Sequence, residues 1–99
     1  MEIKNENYFE DIIRMNEIAE IYERTKQTEK CEKYHYHILK LCDKDPKNEL
    51  LLQYKINSLN RLKKHYKSLE TTNELLKLNP NNLMALFNIA KHIQEALHV

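Results

Sequence analysis

Apolar residues recur three or four positions apart along the chain, which is the spacing of one face of an α-helix. Polar stretches at residues 23–28 and 60–65 interrupt this pattern, and two further breaks contain the only prolines, Pro46 and Pro80. Proline disfavours helical geometry in the residue before it. The pattern therefore predicts five helices joined by short connections. Helices that follow one another through short connections are expected to run antiparallel.

Capping chemistry predicts where these helices begin. Asn5 or Asn7 would cap the first helix and Thr28 the second, because their side chains can accept a hydrogen bond from an unpaired backbone N–H group. Pro46 would open the third helix, where a missing N–H group costs little. The chain contains no glycine, which disfavours β-hairpin turns because they need positive φ.

The two proline breaks are similar in sequence and suggest a repeat. Each follows an apolar-lysine-apolar run and precedes an asparagine, and a shift of 34 positions brings Pro46 onto Pro80. The same shift superposes Leu52 on Leu86, Ile56 on Ala90, Leu59 on Ile93, and, one unit earlier, Ile18 on Leu52 and Tyr22 on Ile56. A period of this length with two helices in each unit indicates a helical repeat array.

This arrangement resembles the tetratricopeptide repeat family. The resemblance covers units 15–48, 49–82 and a partial unit 83–99, with residues 1–14 extending the first helix. Leu86, Ile89, Ala90 and Ile93 stand where the family pattern has Trp, Leu, Gly and Tyr. The resemblance implies a single all-α domain, a right-handed solenoid of antiparallel helix hairpins with about five helices.

The resemblance also implies a non-catalytic scaffold or adaptor that binds a peptide or helix of a partner protein in a concave groove. The expected groove residues are Gln53, Tyr54, Asn57, Phe87, Asn88 and Lys91, with Glu20 and Glu23 at one rim. Family members that hold a C-terminal carboxylate use asparagines matched here by Asn57 and Asn88, whereas Gln53 replaces their neighbouring lysine. A sequence rich in asparagine explains the two residues equally well. If they contact a peptide, alanine at both positions weakens capture without lowering thermal stability.

The fifth helix has no partner helix of its own in the sequence. Its main apolar stripe is expected to face the preceding helix pair and consists of Leu83, Leu86, Ala90, Ile93 and Leu97. That orientation would leave an uncovered patch of Met84, Phe87, Ile89 and Ala96. Uncovered apolar patches commonly mark interaction sites. Self-association through this patch, or a longer array, is therefore the alternative to a simple adaptor.

Composition narrows the remaining functions. Charged residues make up 31% of the chain and the net charge is only +1, which gives no overall attraction to nucleic acids or acidic membranes. No apolar run approaches the ~20 residues that span a bilayer, and the acidic N-terminal stretch is unlike a signal peptide. We expect a cytoplasmic protein with both cysteines reduced. Without glycine, phosphate-binding loops of the dinucleotide or Walker type are excluded.

The sequence contains four possible chemical sites, and each has a simpler explanation. Cys31 and His35 lie one helical turn apart but would need further metal ligands, such as His37 or Cys42, so a partly buried cysteine explains the pattern better. A catalytic cysteine and a carboxylate pair such as Glu17 and Glu20 are likewise not favoured, and we expect neither an enzyme nor a cofactor. A basic cluster could mark an RNA-binding repeat, although solvated lysines account for it: Lys55, Arg61, Lys63, Lys64 and Lys67.

Overall fold

The structure is a computed structural model, and it describes residues 8–98. These residues form five α-helices and no strand: α1 Tyr8–Arg24, α2 Thr28–Cys42, α3 Glu49–Arg61, α4 His65–Leu78 and α5 Leu83–Leu97. The predicted all-α class and the five helices are confirmed. The proposed caps Asn5 and Asn7 lie outside the described residues. Between residues 8 and 98, none of the helices is long and apolar enough to cross a membrane.

Helices α3 and α5 begin in the same way. The side-chain Oδ1 of Asn48 accepts a hydrogen bond from the backbone N–H of Leu51 at 3.1 Å, and Asn82 accepts one from Ala85 at 2.9 Å. Pro46 lies in the turn before this cap, so its predicted position as the first residue of α3 is wrong. The asparagine two residues later caps the helix because its side chain supplies the acceptor that proline lacks.

The turns that contain the two prolines are equivalent. The N–H group of Asn48 donates to the carbonyl of Asp45 at 3.1 Å, and Asn82 donates to Asn79 at the same distance. These pairs are related by the shift of 34 positions that relates Pro46 to Pro80. The repeat in sequence is therefore also a repeat in backbone hydrogen bonding at these two turns.

The turns after α1 and α3 are also equivalent, but a shift of 37 positions relates them. Lys26 and Lys63 both have φ of 60°, and the residue after each donates its N–H to a carbonyl five positions back, both at 2.8 Å. This hydrogen-bond pattern is the Schellman motif. The earlier superposition of Ile18 on Leu52 is therefore wrong in register: the equivalent of Ile56 is Ala19, and both are fully buried.

The difference between the two shifts has a local cause. Helix α2 has 15 residues and α4 has 14, which accounts for one position. Three residues, 43–45, separate α2 from Pro46, whereas only Asn79 separates α4 from Pro80, which accounts for the other two. The expected cap Thr28 is also corrected, because α2 is preceded by Gln27, whose side chain makes no capping hydrogen bond. The Schellman turn itself positions the start of α2.

Lysine occupies the positive-φ position of both Schellman turns, where a side chain with a Cβ is unfavourable by about 1 kcal/mol. We expect Lys63→Gly to raise the free energy of unfolding by about 0.5–1 kcal/mol, since only glycine adopts this conformation without that cost. Urea unfolding followed by circular dichroism measures the change. Lys33→Gly, at an exposed position in the interior of α2, is the control and should lower stability by a similar amount.

Helix α3 contributes to two apolar clusters on different sides. Leu51 packs with residues of α1 and α2, in a cluster of Ile12, Ile38, Leu41, Cys42 and Leu51. Leu52 and Ile56 pack on α4 and α5, in a cluster of Leu52, Ile56, Leu75 and Ala85. Each helix packs chiefly against its neighbours in sequence. One helix therefore joins the two clusters into a continuous row.

Candidate functional site

An open groove of about 310 Å³ lies where α1, α3 and α5 meet. We call it the groove; its lining residues are Asn16, Glu20, Leu50, Gln53, Tyr54, Asn57 and Met84. Three residues predicted from the sequence, Gln53, Tyr54 and Asn57, come together in it. Asn16, Leu50 and Met84 were not predicted as groove residues.

The groove residues on α1 occupy repeated positions; Asn16 was not predicted, and Glu20 was expected at the rim. A shift of 37 relates Asn16 to Gln53 and Glu20 to Asn57, and a shift of 34 relates Leu50 to Met84. The shift of 37 would therefore have identified Asn16 and Glu20 as groove residues from the sequence. Helices α1 and α3 thus present polar side chains to the groove at equivalent positions.

Hydrogen bonds connect the two sides of the groove. Asn57 Nδ2 donates to Asn16 Oδ1 at 3.1 Å, and Asn16 Nδ2 lies 3.4 Å from Glu20 Oε1. Further along the same two helices, Arg61 forms an ion pair with Glu23. Both partners of that pair are partly exposed, so it adds little to stability. These contacts link α1 to α3.

The groove combines apolar surface, amide groups and one negative charge. Tyr54 packs against the first apolar cluster, while Leu50 is exposed beside it. Glu20 is the only charged residue in the lining, and it is exposed. Amide side chains can both donate to and accept from a peptide backbone. The surface therefore suits an extended segment that carries a cation.

Asn88 is not a groove residue, contrary to the prediction. It is 5% exposed and lies between α4 and α5. Its Nδ2 donates to Ser68 Oγ at 3.1 Å and to Thr72 Oγ1 at 2.8 Å, while its Oδ1 accepts from Asn60 Nδ2 at 2.8 Å. Every polar atom of its amide is thus satisfied inside the protein, so Asn88 has no free group for a peptide.

The other two predicted residues on α5 do not line the groove either. Phe87 is 71% exposed and Lys91 is exposed, and neither is among the lining residues. Neither residue belongs to the Ala85 and Asn88 face through which α5 contacts α4. Met84 is the only residue of α5 that lines the groove.

The expected orientation of α5 is reversed in the structure. The five residues expected to face the preceding pair are all exposed: Leu83, Leu86, Ala90, Ile93 and Leu97. We call these five residues, together with the exposed Phe87 beside them, the α5 stripe. Of the patch expected to be uncovered, Met84 and Ile89 are half-buried, and only Phe87 and Ala96 are exposed. Helix α5 contacts α4 through the face that carries Ala85 and Asn88. The equivalent face of α3, which carries Leu51, contacts α2.

His35 is also a buried polar residue that lies outside the groove. Its Nδ1 lies 2.9 Å from Ser58 Oγ, and both residues are buried between α2 and α3. Burial lowers the pKa of His35, the Arg61 guanidinium lowers it further, and the carboxylates of Glu23 and Glu20 act in the opposite direction. The neutral imidazole is therefore the form that the folded chain favours.

This shift predicts a pH dependence of stability. Because the unfolded chain binds a proton at His35 more readily than the folded chain, the free energy of unfolding falls as the pH drops below about 6.5, by at most ~1.4 kcal/mol per pH unit. His35→Gln should reduce this dependence between pH 7.5 and 5.5. His37→Gln, at an exposed position of the same helix, should leave it unchanged. Equal pH dependence in both variants would contradict the assignment.

The two cysteines are buried and free. Burial raises the pKa of the Cys42 thiol to about 12, and burial also raises the pKa of Cys31. Both thiols are therefore protonated at neutral pH, a state in which they are poor nucleophiles and poor metal ligands. Among residues 8–98, no group of three or more His, Cys, Asp or Glu side chains is placed to hold a metal ion.

The basic cluster is interleaved with acidic residues. Lys55 lies 3.5 Å from Asp43, and Lys64 lies over the ring of Tyr36 at 5.7 Å. A depression of about 430 Å³ between α2, α3 and α4 contains these lysines with Lys67, but also Asp43, Glu70 and Glu74. A surface of mixed charge is a poor match for a phosphate backbone.

Comparison with known proteins assigns the chain to no family. No family model matches the chain, and no curated protein and no solved structure matches it.

Proposed function

We propose that this chain is a divergent tetratricopeptide-like array, a right-handed solenoid of helix hairpins, whose groove binds an extended segment of a partner protein. Binding, and not catalysis, is the function. The groove between α1, α3 and α5 carries the proposal, since its polar side chains recur at equivalent positions of α1 and α3, the first helices of two successive helix pairs. Equivalent side chains at regular intervals suit a ligand whose backbone groups are also regularly spaced.

The proposed mechanism uses three kinds of contact. The amides of Asn16, Gln53 and Asn57 exchange hydrogen bonds with the bound backbone. Leu50 and Met84 contact an apolar side chain of the partner. The carboxylate of Glu20 pairs with a lysine or arginine, which selects basic over acidic segments. A C-terminal carboxylate is not the expected ligand, because the groove lining contains no basic residue.

Selection from a library of displayed random decapeptides tests this function. We expect the purified chain to enrich peptides that carry lysine or arginine next to an apolar residue. Glu20→Lys should weaken binding of an enriched peptide at least ~10-fold, which corresponds to about 1.4 kcal/mol. Glu17→Lys makes the same charge change at an exposed position of α1 outside the groove and is the matched control.

Two outcomes would contradict the proposal. One is that no peptide is enriched above a scrambled control. The other is that Glu20→Lys and Glu17→Lys bind an enriched peptide equally well, since binding then does not use the groove. Weakening of binding by added salt supports the predicted ion pair.

A further inference from the structure

The α5 stripe has a covered equivalent elsewhere in the chain. A shift of 34 positions relates Leu86, Ala90 and Ile93 to Leu52, Ile56 and Leu59 on α3. All three of those α3 residues are buried, and the first two pack in the cluster that contains Leu75 of α4. The stripe is thus the helix-pairing side of its repeat unit, and no other helix within residues 8–98 covers it.

The spacing of the stripe fits direct packing against another helix. Leu83, Leu86, Ala90, Ile93 and Leu97 alternate steps of three and four residues, as in the a and d positions of a coiled coil. No member of the stripe is charged. When a surface packs against its own copy, any charge on it meets a like charge. An uncharged stripe avoids this repulsion.

The stripe is partly symmetric about Ala90: two pairs of positions match, whereas Leu86 has the polar Gln94 as its counterpart. Leu83 and Leu97 lie seven residues to either side of it, and Phe87 and Ile93 lie three residues to either side. An antiparallel pair centred on Ala90 places Leu83 against Leu97 of the second copy and Phe87 against Ile93. The small central side chain allows the two helices to approach closely.

The exposed apolar area supplies most of what a standard dimer interface buries. Leu97 is 80% exposed, Phe87 71% and Leu83 70%, and Leu86 and Ile93 are about half exposed. Together these five residues offer roughly 600 Å² per chain, taking roughly 200 Å² for a fully exposed large apolar residue, against the ~800 Å² per partner of a standard interface. Polar residues at the edge of the stripe would supply the remainder.

We propose that a second copy of this chain covers the α5 stripe, forming a symmetric homodimer through antiparallel α5 helices with Ala90 at the two-fold axis. The groove lies on another side of the array and stays open, so the dimer presents two grooves. Linking two binding sites in this way raises the avidity for a partner with two target segments.

Sedimentation velocity across a dilution series tests the dimer. We expect the intact chain to dimerise at micromolar concentration and Ile93→Glu to weaken dimerisation at least ~100-fold, because it places a carboxylate inside the interface. Tyr66→Glu, at a residue of α4 that is 86% exposed and outside the stripe, is the control and should leave dimerisation unchanged. Circular dichroism checks that both variants keep their helices.

Cysteine cross-linking tests the antiparallel arrangement. Under mild oxidation Ala90→Cys should form a covalent dimer, since two copies of residue 90 meet at the axis. Leu83→Cys should not, because in the antiparallel pair the two copies of residue 83 lie about 21 Å apart along the helix. The native Cys31 and Cys42 are buried and should form no cross-link in either variant.

Each of three results would overturn the proposal. The first is an intact chain that stays monomeric up to ~100 μM, a concentration at which a dimer of the ~1 μM strength expected of a standard interface would be saturated. The second is a dimer that Ile93→Glu leaves unchanged. The third is a Leu83→Cys variant that cross-links as efficiently as Ala90→Cys. The first would mean that a different protein or a further repeat unit covers the stripe. The last would indicate parallel helices.

Discussion

Replacing Asn88 with alanine is expected to lower the free energy of unfolding by about 3 kcal/mol. The amide of Asn88 satisfies donors and acceptors on α3 and α4, and its loss leaves the Nδ2 of Asn60 and the hydroxyl groups of Ser68 and Thr72 without these partners. A buried polar group without a partner costs roughly 1–3 kcal/mol, and the deleted side chain also leaves a cavity.

Urea unfolding, monitored by circular dichroism at one fixed protein concentration, measures this loss. Lys91→Ala is the matched control, since it shortens an exposed side chain of the same helix and should change stability by less than ~0.5 kcal/mol. If the two variants are equally stable, Asn88 is free to contact a ligand, and its assignment to the α4–α5 contact is wrong.

Alanine at Ile38 and at Leu75 should each lower the free energy of unfolding by about 3 kcal/mol. A shift of 37 positions relates these two residues, and both are completely buried, one in each apolar cluster. Equivalent burial in equivalent helices should give similar losses from the deleted methylene groups and the cavity left behind.

Leu78→Ala serves as the control for this pair, because Leu78 lies on the same helix as Leu75 and is about half exposed. It should cost less than ~1 kcal/mol. A large cost at Leu75 combined with a negligible cost at Ile38 would show that the two helix pairs are not equivalent units of a repeat.

Periodicity and proline were sufficient to predict the helices. The breaks at Pro46 and Pro80 and the turn within residues 60–65 lie where the sequence placed them. Proline alone did not locate the start of α3, because the capping asparagine at position 48 decides it. Local chemistry with a direct signature in the sequence was therefore predictable to within a few residues.

The register of the first helix pair could not be predicted from the period of 34. Helix α2 is one residue longer than α4, and the connection before Pro46 is two residues longer than the one before Pro80, which changes the shift to 37 for everything before them. This insertion lies in a polar stretch without an apolar pattern, so nothing in the periodicity marks it. Two groove residues, Asn16 and Glu20, were missed or assigned only to the rim for this reason.

The faces of α5 illustrate a second limit. Periodicity identifies an apolar stripe, but it does not say which neighbour covers that stripe. The strongest stripe of α5 faces away from α4, while a face with the polar residue Asn88 is buried. A polar side chain that is fully hydrogen-bonded in the interior looks, in sequence, like one that is exposed.

Two-dimensional NMR of the ¹⁵N-labelled chain, titrated with a peptide selected as described above, tests the central claim that the groove binds an extended partner segment. We predict that the shifted amide signals cluster on α1 and α3 around Asn16, Glu20, Gln53 and Asn57. Shifts confined to the α5 stripe, or to the depression that contains Lys55 and Lys67, would contradict the claim, because the peptide would then occupy a different surface.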